Sequence, residues 1–405
     1  MSPSPADRPV LTMTSALSEV MSAARRREAE GLRVHHLERG EPDFDTPPHI
    51  VEALAAAARG GETHYPDARG NTHLRAALVE KLRRENGIAC GIDDVVITVG
   101  GTHALFLALQ GLIGGADELL VLSPYWMALP KLIGFTPGAA MRSLPAYLDL
   151  QSGALTPAAF ADRLRGALGP RTRGIYLNTP NNPTGAVLSS DQLGAIAEVA
   201  RERDLWVVSD EAYEHILLGE ARHVSIASLP DMAERTVSVF SFSKTYAMTG
   251  WRLGYVVSPP AMRGAMGPLL SFYTTHGVFP AVQSAGAAAV TGSQEAVAAM
   301  RAAYARRRGL LLEGLAGQEA IRIPRPEGAF YAFANVRAAK VGRDIWDLVR
   351  EWLGLGIAVL PGTAFGAEYD DWVRISLASS DADVAGAARI LRDHYAGAAA
   401  AGGPA

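Results

Sequence analysis

Ser241-Phe242-Ser243-Lys244-Thr245-Tyr246-Ala247-Met248-Thr249-Gly250-Trp251-Arg252 is the stretch on which the fold turns. It follows the apolar run Val237–Phe240, so an amine arrives just past a predicted strand, among hydroxyls and aromatics and with no acid near it in sequence. Of the chain's 38 basic residues only Lys81, Lys131, Lys244 and Lys340 are lysines, so each can be asked whether it needs to be an amine rather than a guanidinium. Lys81, Lys131 and Lys340 stand beside polar or turn residues and read as solvated surface. Lys244, at a sheet edge with Arg252 nearby, has the setting for a depressed amine pKa and Schiff-base chemistry.

Working outward, short apolar runs alternate with helical periods. The predicted strands are Val95–Val99, Leu119–Leu122, Gly174–Leu177, Leu205–Ser209, Val237–Phe240 and Leu253–Val257. Between several of them lie patterns of three-and-four spacing, such as Thr102–Leu112 and Asp191–Arg203. Continuous apolar strands separated by helices mean a mostly parallel sheet covered on both faces. After about Val290 a long Arg/Ala helix, Glu295–Leu315, leads to strand-like pieces at Ala329–Ala334, Ile357–Leu360 and Val373–Ser376, and then to a helix over Asp383–Tyr395. That texture predicts a smaller α+β unit. The Pro/Ser-rich start reads as a frayed terminus before a helix ending near Gly31, and the Ala/Gly/Pro run 396–405 as disordered.

Composition narrows the classes. At 405 residues with 48% hydrophobic and 20% charged residues, the chain is an ordinary globular protein of more than one domain rather than a disordered one. A formal charge of −4 supplies no global basic field for nucleic acid. No apolar run approaches the roughly 18–20 residues of a membrane helix. The start lacks the pattern of a signal peptide, so a cytoplasmic location is the default expectation. The single cysteine, Cys90, excludes a disulfide framework and a multi-Cys metal site within one chain, and with no base beside it in sequence it reads as packing. No metal is expected.

Polar residues cluster where predicted strands end, the place where open α/β sheets bind ligands. Val95–Val99 runs into Gly100-Gly101-Thr102-His103 and a helix, a turn whose free N–H groups suit a phosphate. A tight strand–helix turn capped by Thr102 would read the same way. Asn178-Thr179-Pro180-Asn181-Asn182-Pro183-Thr184-Gly185 presents amides from a rigid turn and is equally readable as an Asx/Pro turn. Asp210 comes directly after the predicted strand that opens with the four apolar residues Leu205–Val208 and precedes Tyr213 by three; as a carboxylate at a buried strand end it is either a helix cap or the partner of a protonated ring nitrogen. No Gly-x-Gly-x-x-Gly fingerprint and no Walker P-loop is present, which removes the best support for NAD or ATP.

Taken in order, these motifs resemble the fold-type I pyridoxal-phosphate enzymes of the class I/II aminotransferase family, in its bacterial subgroup. The match runs from about Leu37 to Ala378. It is carried by Gly40-Glu41-Pro42-Asp43-Phe44-Asp45-Thr46-Pro47, His64-Tyr65-Pro66, Gly100-Gly101-Thr102, Pro124-Tyr125-Trp126, Asn181–Gly185, Asp210–Tyr213, Ser241–Arg252, Gly328-Ala329-Phe330-Tyr331 and Arg374-Ile375-Ser376.

The resemblance implies a seven-stranded, mostly parallel sheet in a large domain over residues 47–290, with a small domain built from 1–46 and 291–405. It implies pyridoxal 5'-phosphate as cofactor and Lys244 as both its Schiff-base partner and the base of the proton shift. Asp210 is then expected at the ring nitrogen, Asn182 and Tyr213 at the phenolic oxygen, and Trp126 on the ring face. Gly101, Thr102, Ser241 and Arg252 are expected at the phosphate, with Tyr65 reaching the phosphate of a neighbouring subunit, hence a homodimer. Arg374 would take the substrate carboxylate bidentately, with Gly40 closing over it.

The implied activity is ping-pong transfer of an amino group from an L-amino acid to a 2-oxo acid. The same cofactor also supports elimination or replacement, ring closure or oxidation of an amino acid, since the pocket chooses the bond. A non-enzymatic regulator on this fold is a third reading, for which residues 1–46 are too short and too weakly basic to supply a DNA-binding domain. Aspartate-using relatives carry a lysine directly after the glycine pair, where this chain has Thr102. With Leu17, Phe330 and Tyr273-Thr274-Thr275-His276 expected to face the pocket, the chain is expected to prefer neutral or aromatic donors to aspartate.

Overall fold

The computed structural model describes residues 15–401. The frayed terminus expected before the first helix therefore lies outside the described residues, and that helix spans Ala16–Ala29. Twelve strands follow in chain order: β1 (His35–His36), β2 (Val95–Thr98), β3 (Glu118–Ser123), β4 (Ala140–Pro145), β5 (Thr172–Asn178), β6 (Trp206–Asp210), β7 (Thr236–Ser241), β8 (Gly254–Val257), β9 (Tyr331–Asn335), β10 (Ile357–Ala358), β11 (Leu360–Pro361) and β12 (Trp372–Ser376).

Seven of them form one sheet in the order β2-β8-β7-β6-β5-β3-β4. Its strands are parallel except β8, which runs antiparallel to both β2 and β7. The arrangement is the expected α/β fold: β3 and β7 are buried along most of their length because helices cover both faces. All six parallel strands end at one edge. The antiparallel β8 starts at that same edge, which brings Arg252 beside Ser241 and the turn after β2.

The close approach there depends on glycine. A Cβ on Gly254 would stand 2.6 Å from the Gly100 carbonyl carbon, and one on Gly100 would stand 2.5 Å from Nη2 of Arg252. Gly100 also has φ +78°, which a side chain would strain.

A second, antiparallel sheet has the order β11-β12-β9, and β1 pairs in parallel with β10. The main core is continuous from Val95 and Phe240, through Phe330 and Tyr304, to Trp352, so the two sheets share packing.

Three expectations change. Strand β4 is absent from the sequence prediction, because Ala140-Met141-Arg142-Ser143-Leu144-Pro145 is a half-exposed edge strand without an apolar run. Ile357–Leu360 is split into β10 and β11, which belong to different sheets. The last helix runs Asp381–Ala401, so the run expected to be irregular from Ala396 is helical as far as Ala401, where Ala-rich propensity outweighs the single Gly397; 402–405 lie outside the described residues.

Candidate active site

A cavity of about 220 Å³ opens at the edge where the parallel strands end. Gly101 and Thr102, at the start of the helix Gly100–Leu112, line one wall with Ser241 and Arg252. A Cβ on Gly101 would meet the Ser241 Cβ at 3.2 Å, so the bare backbone is what leaves room between them. Helix N–H groups, a hydroxyl and a guanidinium then face one spot, a donor set suited to a phosphate dianion.

Asp210 ends β6 and is 6% exposed. Its Oδ2 accepts from the Tyr176 hydroxyl at 3.0 Å and its Oδ1 from the Ala212 N–H at 3.2 Å. Burial pushes this carboxyl up to about 6, against the pull of those two donors. A cationic N–H in the cavity would return it to the ionised form.

Lys244 sits on a single helical turn, Phe242–Thr245, whose start is capped by Ser241 Oγ accepting from the Ser243 N–H. Its Nζ donates to the Gly40 carbonyl at 2.6 Å. Among the described residues no carboxylate pairs with it. Burial, with Arg252 and Arg374 adding to it and Glu41 opposing, pulls the ammonium down to about 8. The amine is therefore partly neutral near physiological pH, as a nucleophile or base requires.

The opposite wall is a ring of side chains. Arg374, on β12, donates from Nη1 to Oδ1 of Asn182 at 3.3 Å and from Nη2 to the Glu38 carbonyl at 2.6 Å. Asn182 Nδ2 reaches the Tyr213 hydroxyl at 3.5 Å, and that hydroxyl lies 3.1 Å from the Tyr331 hydroxyl. The Tyr331 ring returns to the start of the ring of contacts, 4.4 Å beneath the Arg374 guanidinium. Nε of Arg374 is buried without a hydrogen-bond partner, so the guanidinium is not fully satisfied within the chain.

The cavity thus gathers Gly40, Gly101, Thr102, Trp126, Asn182, Asp210, Tyr213, Ser241, Lys244, Arg252 and Arg374 from across more than 330 positions of sequence. Tyr65 is not among them. It is 81% exposed and stacks on His276 at 4.1 Å.

The expected specificity lining is partly corrected. Leu17 does line the cavity, but Phe330 is fully buried in the core against Tyr304 and Tyr213, and Tyr273 packs on Phe106 outside it. Leu105 and Met127 take that place. Leu105 follows Gly101 by one helical turn and so shares its face, a signal the sequence did contain.

The lysines need a correction too. Lys81 is buried and paired with Glu214, and Lys340 is buried and paired with Asp370 and Asp371, so neither is solvated surface. Cys90 is half-buried, with burial pushing its thiol up to about 11.

The sequence model of the family "Aminotransferase class I and II" matches residues 33–391. An aspartate/prephenate aminotransferase of Thermus thermophilus is 39% identical over 371 residues, covering 91% of this chain and 92% of the relative. An arginine–pyruvate transaminase of Pseudomonas aeruginosa is 34% identical over 366 residues, 90% of each protein. Among solved structures, an aspartate aminotransferase of Thermus thermophilus with maleate superposes with a TM-score of 0.87 at 36% identity, over 96% of this chain and 100% of that one.

Proposed function

We infer residue roles and substrate class from one premise: this chain belongs to the aminotransferase class I and II family and is a pyridoxal 5'-phosphate-dependent aminotransferase acting on amino and 2-oxo acids. Elimination, cyclisation and regulatory readings are not favoured beside relatives named for amino-group transfer. When bound, the cofactor supplies an aldehyde for the amine and a ring that accepts the electrons of the substrate's Cα–H bond.

In the proposed arrangement the phosphate rests on Gly101, Thr102, Ser241 and Arg252. Asp210 faces the ring nitrogen, Asn182 and Tyr213 the phenolic oxygen, and Trp126 the ring. Arg374 takes the substrate carboxylate, holding the amino acid by its invariant end. Lys244 holds or moves a proton at Nζ, and the carbonyl of Gly40 at 2.6 Å sets where that atom rests. The observation that carries this reading is the pairing of a part-buried Lys244 that has no carboxylate partner among the described residues with an Arg374 whose Nε is unsatisfied, both lining one cavity.

Donor preference follows from the inventory of charge. The cations lining the cavity among the described residues are Lys244, Arg252 and Arg374, and each has a role above. A second substrate carboxylate would find no spare partner in this chain, while Leu17, Leu105, Trp126 and Met127 offer apolar contact. We therefore propose neutral or aromatic donors over aspartate. The test is kcat/KM for aspartate against phenylalanine, leucine and methionine: aspartate leading all three by more than about tenfold, or some 1.4 kcal/mol in transition-state binding, overturns it.

The same reading divides the chain into a large part, 47–290, and a small part, 1–46 with 291–405, and places it in the cytoplasm. No helix among the described residues is long and apolar enough to cross a membrane. A homodimer is proposed with it, supported by the apolar surface of Tyr65, Phe272 and Phe279, of which Phe272 is 82% exposed. Sedimentation showing a fully active monomer would rule the dimer out.

A further inference from the structure

A second cavity, of about 250 Å³, lies at the opposite edge of the seven-stranded sheet, where β7 begins and β8 ends. Thr236 and Ser238 of β7 and Ser258 just after β8 line it, each at least 97% buried. The hydroxyl oxygen of each one lacks any hydrogen-bond partner. Buried polar groups are normally satisfied, and three orphans lining one cavity are a cost the fold recovers only when something in the cavity bonds to them.

The rest of the lining sets the character of that occupant. Ile88, Val257 and Pro259 give apolar walls. Asp94 is already held by the Arg263 guanidinium and by the Gly91 N–H, and Glu234 stands exposed at the rim. The lining has no free cation, so an anion gains nothing there and meets two carboxylates. Cys90 contributes a thiol that burial keeps protonated, a further weak donor.

We propose that this cavity is a binding site for a small neutral molecule carrying hydroxyl or amide groups, held by Thr236, Ser238 and Ser258. The site is independent of the active-site reading: Thr236 and Ser238 lie at the start of β7 and Ser258 follows the end of β8, the ends of those strands remote from Ser241 and Arg252.

Cys90, the only cysteine, reports on occupancy in the holoenzyme. Its alkylation by iodoacetamide is followed by mass spectrometry with glycerol, acetamide or sodium acetate present at matched ionic strength. The expected result is that glycerol or acetamide slows alkylation saturably by at least threefold and acetate does not. In Ser238→Ala/Ser258→Ala that protection falls to within experimental error while transamination is unchanged. The near-isosteric Thr236→Val, which keeps the volume, weakens protection on its own if the double variant misfolds. No slowing by either neutral probe, equal slowing by acetate, or protection that survives the substitutions overturns the site.

Discussion

Two lysines, Lys81 buried and Lys244 part-buried, lie close to the same strand, and the fold treats them in opposite ways. Lys81 is 3% exposed, donates to Glu214 at 2.5 Å and to Asn86 at 2.8 Å, and lies 5.0 Å from the Phe240 ring. Glu214 is in turn held below the usual carboxylate range by that ammonium, against the opposing effect of its own burial. Lys244 has no such counter-ion and is drawn down to about 8. The contrast separates a charge neutralised for stability from one left uncompensated for chemistry. It also shows why exposure alone does not identify a reactive amine.

Four experiments press on that difference. The largest effect belongs to Lys244→Ala, which should lower kcat by on the order of 10⁴-fold or more and remove the Schiff-base absorbance of the holoenzyme. Steady-state transamination near the wild-type rate would sink the role given to this amine. Next, Lys81→Met strips Glu214 of its ammonium, leaving it with the Asn86 amide and His215, and should cost about 3–5 kcal/mol in urea unfolding, with much of it restored by adding Glu214→Leu. If the single variant is as stable as the parent, the pair is not structural.

Lys244→Met should act with the opposite sign on the cofactor-free protein. Folding lowers this amine from its ordinary 10.5 to about 8, so between those values the unfolded chain binds more protons and stability rises with pH. Below about pH 8 the full cost applies, at most about 3 kcal/mol for a shift of this size. Unfolding curves at pH 7 should therefore show the methionine variant more stable by about 1–3 kcal/mol, with the gain vanishing toward pH 10. A gain that is constant with pH would trace to packing instead of charge. The smallest effect expected is about tenfold in kcat for Tyr213→Phe, which removes the hydroxyl lying between Asn182 and Tyr331. An unchanged rate would mean that the hydroxyl only packs.

The lysines also mark the limit of what sequence reveals. Lys244 was legible because its signal is local: an apolar run ends, and hydroxyls and an arginine follow within a few positions. The pairing of Lys81 was not, because Glu214 lies 133 positions away and only the fold brings it near. The same rule sorts the strands. Buried runs such as Val237–Phe240 are written in composition, whereas the edge strand β4, with Arg142 and Ser143 part-exposed, carries no contrast to detect. Strand-end residues of the site were foreseen because topology puts all parallel ends at one edge. The Tyr273–His276 segment was misplaced because nothing in its composition tells the cavity side of a helix terminus from the outside.

The bond from Arg374 to the carbonyl of Glu38 joins residues 336 positions apart. During synthesis Lys244, the Gly100–Thr102 turn proposed for the phosphate and Asp210 are all made well before the arginine proposed to grip the substrate. A chain stopped anywhere short of β12 lacks this guanidinium together with the strand that pairs with β9 and β11. On the proposed roles, the order of residues along the chain puts the carboxylate grip last, so a truncated product would lack it.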